Sequence, residues 1–254
     1  MKDETIVLEN AVSALEDNGG FAGSRGFEVS ARVPIPKYLS QTYWWAYLHP
    51  AGIRVFERQW LVNLILWGNF ARLRDCALAE LGTTINGRLL QVACVYGDFT
   101  DRIAERLGPN GRLDVVDVAP GQLKNLTAKL KHTSQVSLHH QDSTNLAFAD
   151  ATFDNVVLFF LLHEQPEEAR VRTVAEAARV VKPGGKLVFV DYHQPTKLNP
   201  FRQIMKPILR TLEPFAMDLW WKEIKDWMPQ SVRPTSVTKE TMFGGLYQKV
   251  VITV

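Results

Sequence analysis

The residues best suited to chemistry stand at the ends of two apolar runs. Leu161-Leu162 leads into His163-Glu164, and Val190 leads into Asp191-Tyr192-His193. Asp191 and His193 are two apart on an extended segment, so their side chains share one side. The imidazole nitrogens and carboxylate oxygens of His163, Glu164, Asp191 and His193 are donors suited to a divalent metal such as manganese or iron. The same four residues also fit metal-free duty as polar groups at strand ends. Asp117 closes a third apolar run, where an acid commonly accepts hydrogen bonds from ribose hydroxyls. Aromatic side chains surround these groups in sequence, with Tyr43, Trp44 and Tyr47 upstream and Phe215 and Trp220 downstream. They suit a flat, greasy substrate, or simply the core between helices.

The elements that must position these groups read as alternating strands and helices. Apolar strands are predicted at 88–95, 112–118, 136–140, 153–162 and 186–191. Helices are predicted at 98–107, 120–131 and 167–181, the last closed by Lys182-Pro183-Gly184-Gly185. Such alternation implies a parallel sheet with right-handed crossovers. A strand at 246–254 is predicted to pair near 237–242 and complete seven strands. Upstream, 1–30 reads as a loose tail and 31–82 as a helical extension, with one long helix over 54–81. Residues 83–254 form the main domain. A helical lid is inserted at about 196–230, where Asn199 caps a helix that Pro207 and Pro214 should break.

Composition narrows the class. The 254 residues carry a net charge of +2, so no global basic field points to nucleic acid. Two cysteines in no CxxC pattern fit a reducing compartment. Residues 1–18 are acidic and lack the apolar run of a secretory signal. The most apolar stretch, Trp60 to Trp67, falls short of the ~20 residues of a membrane span. The expectation is a cytoplasmic protein, with aromatic and basic lid faces in peripheral contact with the inner face of the cell membrane.

The order of motifs resembles the class I S-adenosylmethionine (SAM)-dependent methyltransferases. The resemblance rests on Leu90-Gln-Val-Ala-Cys-Val-Tyr-Gly-Asp-Phe-Thr100 after the first strand, Asp117, Gln141-Asp142-Ser143, Phe148-Ala-Asp-Ala-Thr-Phe-Asp154 and Arg179-Val-Val-Lys-Pro-Gly-Gly-Lys-Leu-Val-Phe-Val190. It implies a Rossmann-like α/β fold, a mostly parallel seven-stranded sheet with helices on both faces. It also implies SAM held by Ala93, Val95, Gly97, Asp117, Val118, Asp142 and Ser143. Asp142 stands where the family reads the adenine amino group, and it equally suits a cap. The family's first loop normally has an acid followed by Gly-x-Gly-x-Gly. Here Gln91, Ala93 and Val95 replace the acid and two glycines, and Gly97 remains.

Within that family Gln91-Val-Ala-Cys-Val-Tyr-Gly-Asp-Phe-Thr100, His163-Glu-Gln-Pro166 and Asp191-Tyr-His193 look like the bacterial rhodoquinone-biosynthesis proteins. That resemblance implies replacement of a ring methoxy group of ubiquinone by an amino group, with SAM as nitrogen donor and a divalent metal required. His163, Asp191, His193 and Tyr96 are then the expected catalytic residues. Ala93, Val95 and Tyr96 would shift the methionine end of SAM, and a metal at His163, Asp191, His193 and Glu164 would polarise a quinone carbonyl. Two other readings stay open. One is a conventional methyltransferase acting on a quinone or other lipophilic substrate. The other is a lipid- or quinone-binding module without catalysis.

Overall fold

The structure is a computed structural model, describing residues 27–28, 33–94, 96–131 and 134–254. Val95 and most of the expected tail lie outside the described residues.

Among the described residues eight strands form one sheet: β1 (Phe27–Glu28), β2 (Arg88–Val92), β3 (Arg112–Asp117), β4 (Val136–His140), β5 (Phe153–Phe159), β6 (Val181–Tyr192), β7 (Ser236–Met242) and β8 (Tyr247–Thr253). Their spatial order is β1-β4-β3-β2-β5-β6-β8-β7. All pairs are parallel except β6–β8 and β7–β8. The expected seven strands are present, and the two-residue β1 adds an edge beside β4 within the stretch expected to be loose. Leu89, Leu90, Val115, Val156, Val157 and Val188 are fully buried, as strands covered on both faces require. The chain winds from β2 outward to β4 and then returns to the other side of β2 as β5. This reversal opens a crevice beyond the carboxyl ends of β2 and β5, the ligand position of such sheets.

The helices are α1 (Lys37–Thr42), α2 (Pro50–Phe56), α3 (Gln59–Ile65), α4 (Phe70–Leu81), α5 (Phe99–Ala104), α6 (Pro120–Lys129), α7 (Glu167–Val180) and α8 (Phe201–Leu212). A π-helical turn spans Trp44–Leu48. The long helix expected over 54–81 is instead three helices. Arg58 turns extended ahead of α3, and Trp67 and Gly68 take left-handed backbone between α3 and α4. Two asparagines hold that corner: Asn63 accepts from the Phe70 N–H, and Asn69 donates to the Leu66 and Trp67 carbonyls. Asparagine offers the backbone such partners in competition with helix.

The lid differs from expectation in the opposite sense. Helix α8 runs straight through Pro207. It ends at Glu213, which precedes Pro214 and is driven out of the helical region (φ −133°, ψ 65°). The Asn199 carboxamide accepts from the Phe201 N–H at 2.9 Å and caps the helix start. Single turns at Ala216–Trp220 and Ile224–Trp227 complete the lid.

Arg170 of α7 fastens lid to sheet. Its side chain is fully buried. The guanidinium donates to the carbonyls of Leu162 (2.9 Å), Gln165 (2.7 Å) and Phe215 (2.9 Å) and pairs with Asp218 at 3.1 Å. Its planar face lies 4.6 Å from the Trp227 ring centroid.

Candidate active site

One cleft occupies the crevice and encloses about 1260 Å3, part of it open to solvent. One end is lined by Ala93, Cys94, Asp117, Val118, Gln122, Gln141 and Ser143. The other is lined by Tyr38, Tyr43, Tyr47, His163, Glu164 and Glu213.

At the first end the loop after β2 keeps the backbone of a glycine turn despite its replaced side chains. Ala93 has φ +72° and Gly97 has φ +84°, a region that favours glycine. A Cβ on Gly97 would come within 2.7 Å of Phe70 Cζ. Gln91, fully buried in the acid's place, donates to the Ala93 carbonyl at 3.0 Å. Asp117 accepts from the Cys94 N–H at 2.7 Å and from the Ala119 N–H at 2.8 Å. Burial raises its carboxyl to about 6, and these N–H groups restrain the rise. Asp117 also pins the loop and borders the cleft. A left-handed loop facing a buried strand-end acid, with Gln141 and Ser143 beyond, fits an adenosine-type ligand. Asp142, between those two, does not line the cleft; it accepts from the Thr144 N–H at 2.8 Å in a turn.

Tyr96 lines the cleft from the same loop. Its hydroxyl donates to the Ala46 carbonyl at 2.5 Å and accepts from Gln122 Nε2 at 2.7 Å. The ring stacks on Tyr47 at 5.7 Å and 10°. Tyr96 thus joins the cofactor loop to the N-terminal extension.

At the second end an acid–base chain is built on the turn after β5. Asp191, 1% exposed, accepts from the Leu162, His163 and Tyr192 N–H groups. Its Oδ1 lies 3.0 Å from His163 Nδ1. His163 Nε2 lies 3.7 Å from Glu164 Oε1. Glu164 in turn accepts from the Tyr47 hydroxyl. Burial opposes charge on His163, but Asp191, Glu213 and Glu164 together raise it to about 9. Burial raises Glu164 to about 8, with His163 and the Tyr47 hydroxyl restraining it. The result is a buried histidinium facing Asp191, next to a carboxyl that burial holds close to neutrality; His163 Nδ1 makes no well-aligned hydrogen bond here and Nε2 stands 3.7 Å from Glu164, so passage of a proton along this row needs a small adjustment of the side chains.

The expected metal set does not assemble. The two nitrogens of His163 face different carboxylates on opposite edges of the ring, so these donors share no common point. His193 is turned away: its Nδ1 bonds the Gly245 carbonyl at 2.8 Å and its Nε2 lies 3.0 Å from Lys239 Nζ. Among the described residues no group of three or more His, Cys, Asp or Glu is placed to hold a metal. The expected pairing of Asp191 and His193 fails because β6 ends at Tyr192, so the alternation of an extended strand does not carry to residue 193.

The aromatic residues divide. Tyr43 and Tyr47 line the cleft. Trp44 is exposed and packs edge-on against His49. Phe215 packs edge-on against Tyr38. Trp220 is buried beneath Arg202 as core. Sequence reasoning missed Tyr38, Gln122, Arg170 and Glu213. Glu213 alone left a trace, as a carboxylate within an apolar run just ahead of Pro214.

Residues 89–185 match the family model described as Methyltransferase domain. The chain is 34% identical over 189 residues to the demethylmenaquinone methyltransferase of Anoxybacillus flavithermus, covering 71% of this chain and 78% of that protein. It is 30% identical over 180 residues to the enzyme of the same name from Bacillus licheniformis, covering 70% and 76%. Among solved structures it resembles the N-methyltransferase NodS of Bradyrhizobium japonicum (TM-score 0.53, 16% identity, covering 72% of this chain and 94% of that one). It also resembles a SAM-dependent methyltransferase of Aquifex aeolicus (TM-score 0.50, 17% identity, covering 80% and 97%). The structural likenesses speak for the fold. With the sequence relatives they place the chain: it belongs to the class I SAM-dependent methyltransferase family. Both of these sequence relatives carry the name demethylmenaquinone methyltransferase.

Proposed function

We propose that this protein is a SAM-dependent transferase that methylates the ring of a lipophilic quinone in its reduced form. One observation carries the reading: a single cleft joins the Ala93–Gly97 loop and Asp117 to a buried proton relay walled by tyrosines. SAM, when bound, supplies an electrophilic methyl group. Ala93, Cys94 and Asp117, which line the cleft, would hold its adenosine half, with Gly97 buried behind them against Phe70. Tyr43 and Tyr47 would flank the flat ring and exclude water. Glu164, through the Tyr47 hydroxyl, would take the proton lost from a ring hydroxyl, which makes the neighbouring ring carbon nucleophilic. His163, held charged by Asp191, keeps Glu164 acidic enough to let that proton go.

A second reading is favoured by Tyr96, which occupies the glycine loop and reaches across to the extension. It is replacement of a ring methoxy group by the amino nitrogen of SAM. Methyl transfer needs the methyl carbon ~3–3.5 Å from its acceptor and aligned with it, and a bulky loop residue can withhold that alignment. The amination expected from sequence has no support in the relatives' names. Because the expected metal donors do not converge among the described residues, neither reading routes a step through a metal.

Substrate entry from a membrane is part of the proposal. Trp60, Leu64 and Ile65 project from α3, Ile204 and Leu212 from α8, and all are exposed. Ile65 also lines the cleft, and Trp67 packs on Phe201 at 4.6 Å to join the two helices. Arg54, Arg58, Lys206 and Arg210 flank them, a combination that suits an anionic lipid surface. Among the described residues no helix is long and apolar enough to cross a membrane. The protein would work on the inner face of the cell membrane.

Calorimetric titration tests the reading. SAM and a short-tail quinone should each bind, and each should bind in the presence of the other. Failure to bind SAM would leave only a lipid-binding module. Flotation with anionic vesicles should carry the protein, and Trp60→Ser with Leu64→Ser should reduce that recovery.

A further inference from the structure

The loop after β2 keeps the turn of a glycine loop while carrying a side chain on Ala93. Ala93 has φ +72°, and left-handed backbone is disfavoured for any residue with a Cβ. Such a loop gains from being held from outside. At its far end the Gly97 carbonyl accepts from Lys129 Nζ, the last residue of α6, at 2.8 Å. The same ammonium meets Glu57 Oε1 at 2.7 Å. Glu57 closes α2 of the N-terminal extension. Its second oxygen, Oε2, accepts from the Asn125 amide at 2.6 Å. Only 22% of the Lys129 side chain and 24% of the Glu57 side chain is exposed. The pair is therefore unlike the solvated surface pairs that contribute little.

These contacts follow one face of α6. Gly121, Asn125 and Lys129 stand at successive i, i+4 positions and so form a row along the helix. Gly121 leaves room for Ile53 of α2, whose Cδ1 would lie 2.9 Å from a Cβ at that position. Gln122, beside the row, donates to the Tyr96 hydroxyl at 2.7 Å. Lys129 ends the row where helix, extension and cofactor loop meet. Neither Lys129 nor Glu57 lines the cleft, so both act on a ligand there only through the loop.

We propose that Lys129, anchored by Glu57, is a positioning residue for the cofactor loop, so that the N-terminal extension is a working part of the SAM site. This rests on the SAM reading above. Lys129 fixes the Gly97 end of the loop, and Asp117 fixes the Cys94 end through its N–H. With both ends held, the loop is shaped before SAM arrives, and binding has less ordering to accomplish. Without the ammonium the Gly97 end is released, and SAM must order it.

The test is calorimetric titration of SAM into the full chain, well below the melting temperature, which is measured in parallel. Lys129→Met keeps the length of the side chain and removes the donor. It should weaken SAM binding about tenfold, the lower end of what a hydrogen bond from a charged donor contributes. Lys129→Arg can donate to Gly97 and Glu57 together and should restore most of that affinity. Glu57→Gln removes the anchoring charge and should weaken SAM binding by a smaller factor. Added to Lys129→Met, it should change SAM affinity no further, because Glu57 acts through Lys129. A contact that serves stability alone would lower the melting temperature and leave the SAM affinity of the folded protein unchanged. SAM affinity equal in wild type and folded Lys129→Met would therefore overturn the proposal, as would independent, additive losses from Lys129→Met and Glu57→Gln. If Lys129→Met does not fold, Glu57→Gln decides, and unchanged SAM affinity there overturns the proposal. Wild type that binds no SAM would fail the cofactor reading itself. Wild type and Lys129→Met that bind SAM alike would fail the positioning role alone.

Discussion

Replacing Asp191 by asparagine removes one charge from the relay while leaving its shape nearly intact. Asp191 faces His163 at 3.0 Å in a site from which water is excluded. The imidazole moves from an ordinary 6.5 to about 9 in the fold, because Asp191 and the nearby glutamates outweigh burial. That rise corresponds to about 3 kcal/mol of preferential proton binding by the folded state. A raised value stabilises the fold in full below 6.5 and loses that contribution as pH climbs through about 9. In Asp191→Asn burial acts on the imidazole with its main counter-charge gone, and the charged form is disfavoured. Overall stability should fall by about 3–5 kcal/mol, the usual cost of breaking a buried pair. The decline between pH 6.5 and about 9 should shrink by about 3 kcal/mol. Glu164, raised from 4.5 to about 8, also loses stability as pH rises, and because His163 and Asp191 both act on it, Glu164→Gln is carried in wild type and variant alike to isolate the histidine. Urea unfolding followed by tryptophan fluorescence across this range measures both quantities. Parallel stability–pH curves for wild type and variant would refute the claim that Asp191 holds the proton on His163.

Three further changes probe other parts of the account. Gly97→Ala places a Cβ 2.7 Å from Phe70 Cζ at a φ of +84°; it should cost about 1–3 kcal/mol and weaken SAM binding, read by calorimetry. Arg170→Leu strands the carbonyls of Leu162, Gln165 and Phe215, and should lower the melting temperature by about 10 °C through a loss of about 3–5 kcal/mol. Tyr47→Phe removes the donor to Glu164 and should reduce kcat about a hundredfold with SAM affinity unchanged, as steady-state kinetics would show.

The sheet was legible because buried parallel strands advertise themselves as apolar runs, and 153–162 is an example. Its boundary was not, since Phe160 takes left-handed backbone (φ 54°) and Leu162–Glu164 coil into a single turn. That turn is what aims His163 at Asp191. The helix over 54–81 misled because a 3.6-residue period survives breaks made by side-chain contacts, here those of Asn63 and Asn69. Pro207 misled in reverse, since the lid helix tolerates one lost N–H. The relay was half legible. His163, Glu164 and Asp191 announced themselves as strand-end polar residues, whereas His193 looked equivalent and lies beyond the strand's last regular residue. Tyr47 and Glu213 meet the relay only through tertiary packing of the extension and the lid, over 117 residues in the case of Tyr47 and Glu164. The substituted glycine loop reads as damage in sequence, yet Ala93 keeps the left-handed turn.

Mass spectrometry of products formed from a short-tail quinone, a reductant and SAM labelled with carbon-13 in its methyl group and nitrogen-15 in its amino group tests the central claim most directly. Carbon-13 on the quinone ring is the expected result, and nitrogen-15 there instead would overturn methylation in favour of amination. A folded protein that binds both ligands and leaves the ring unlabelled would contradict both.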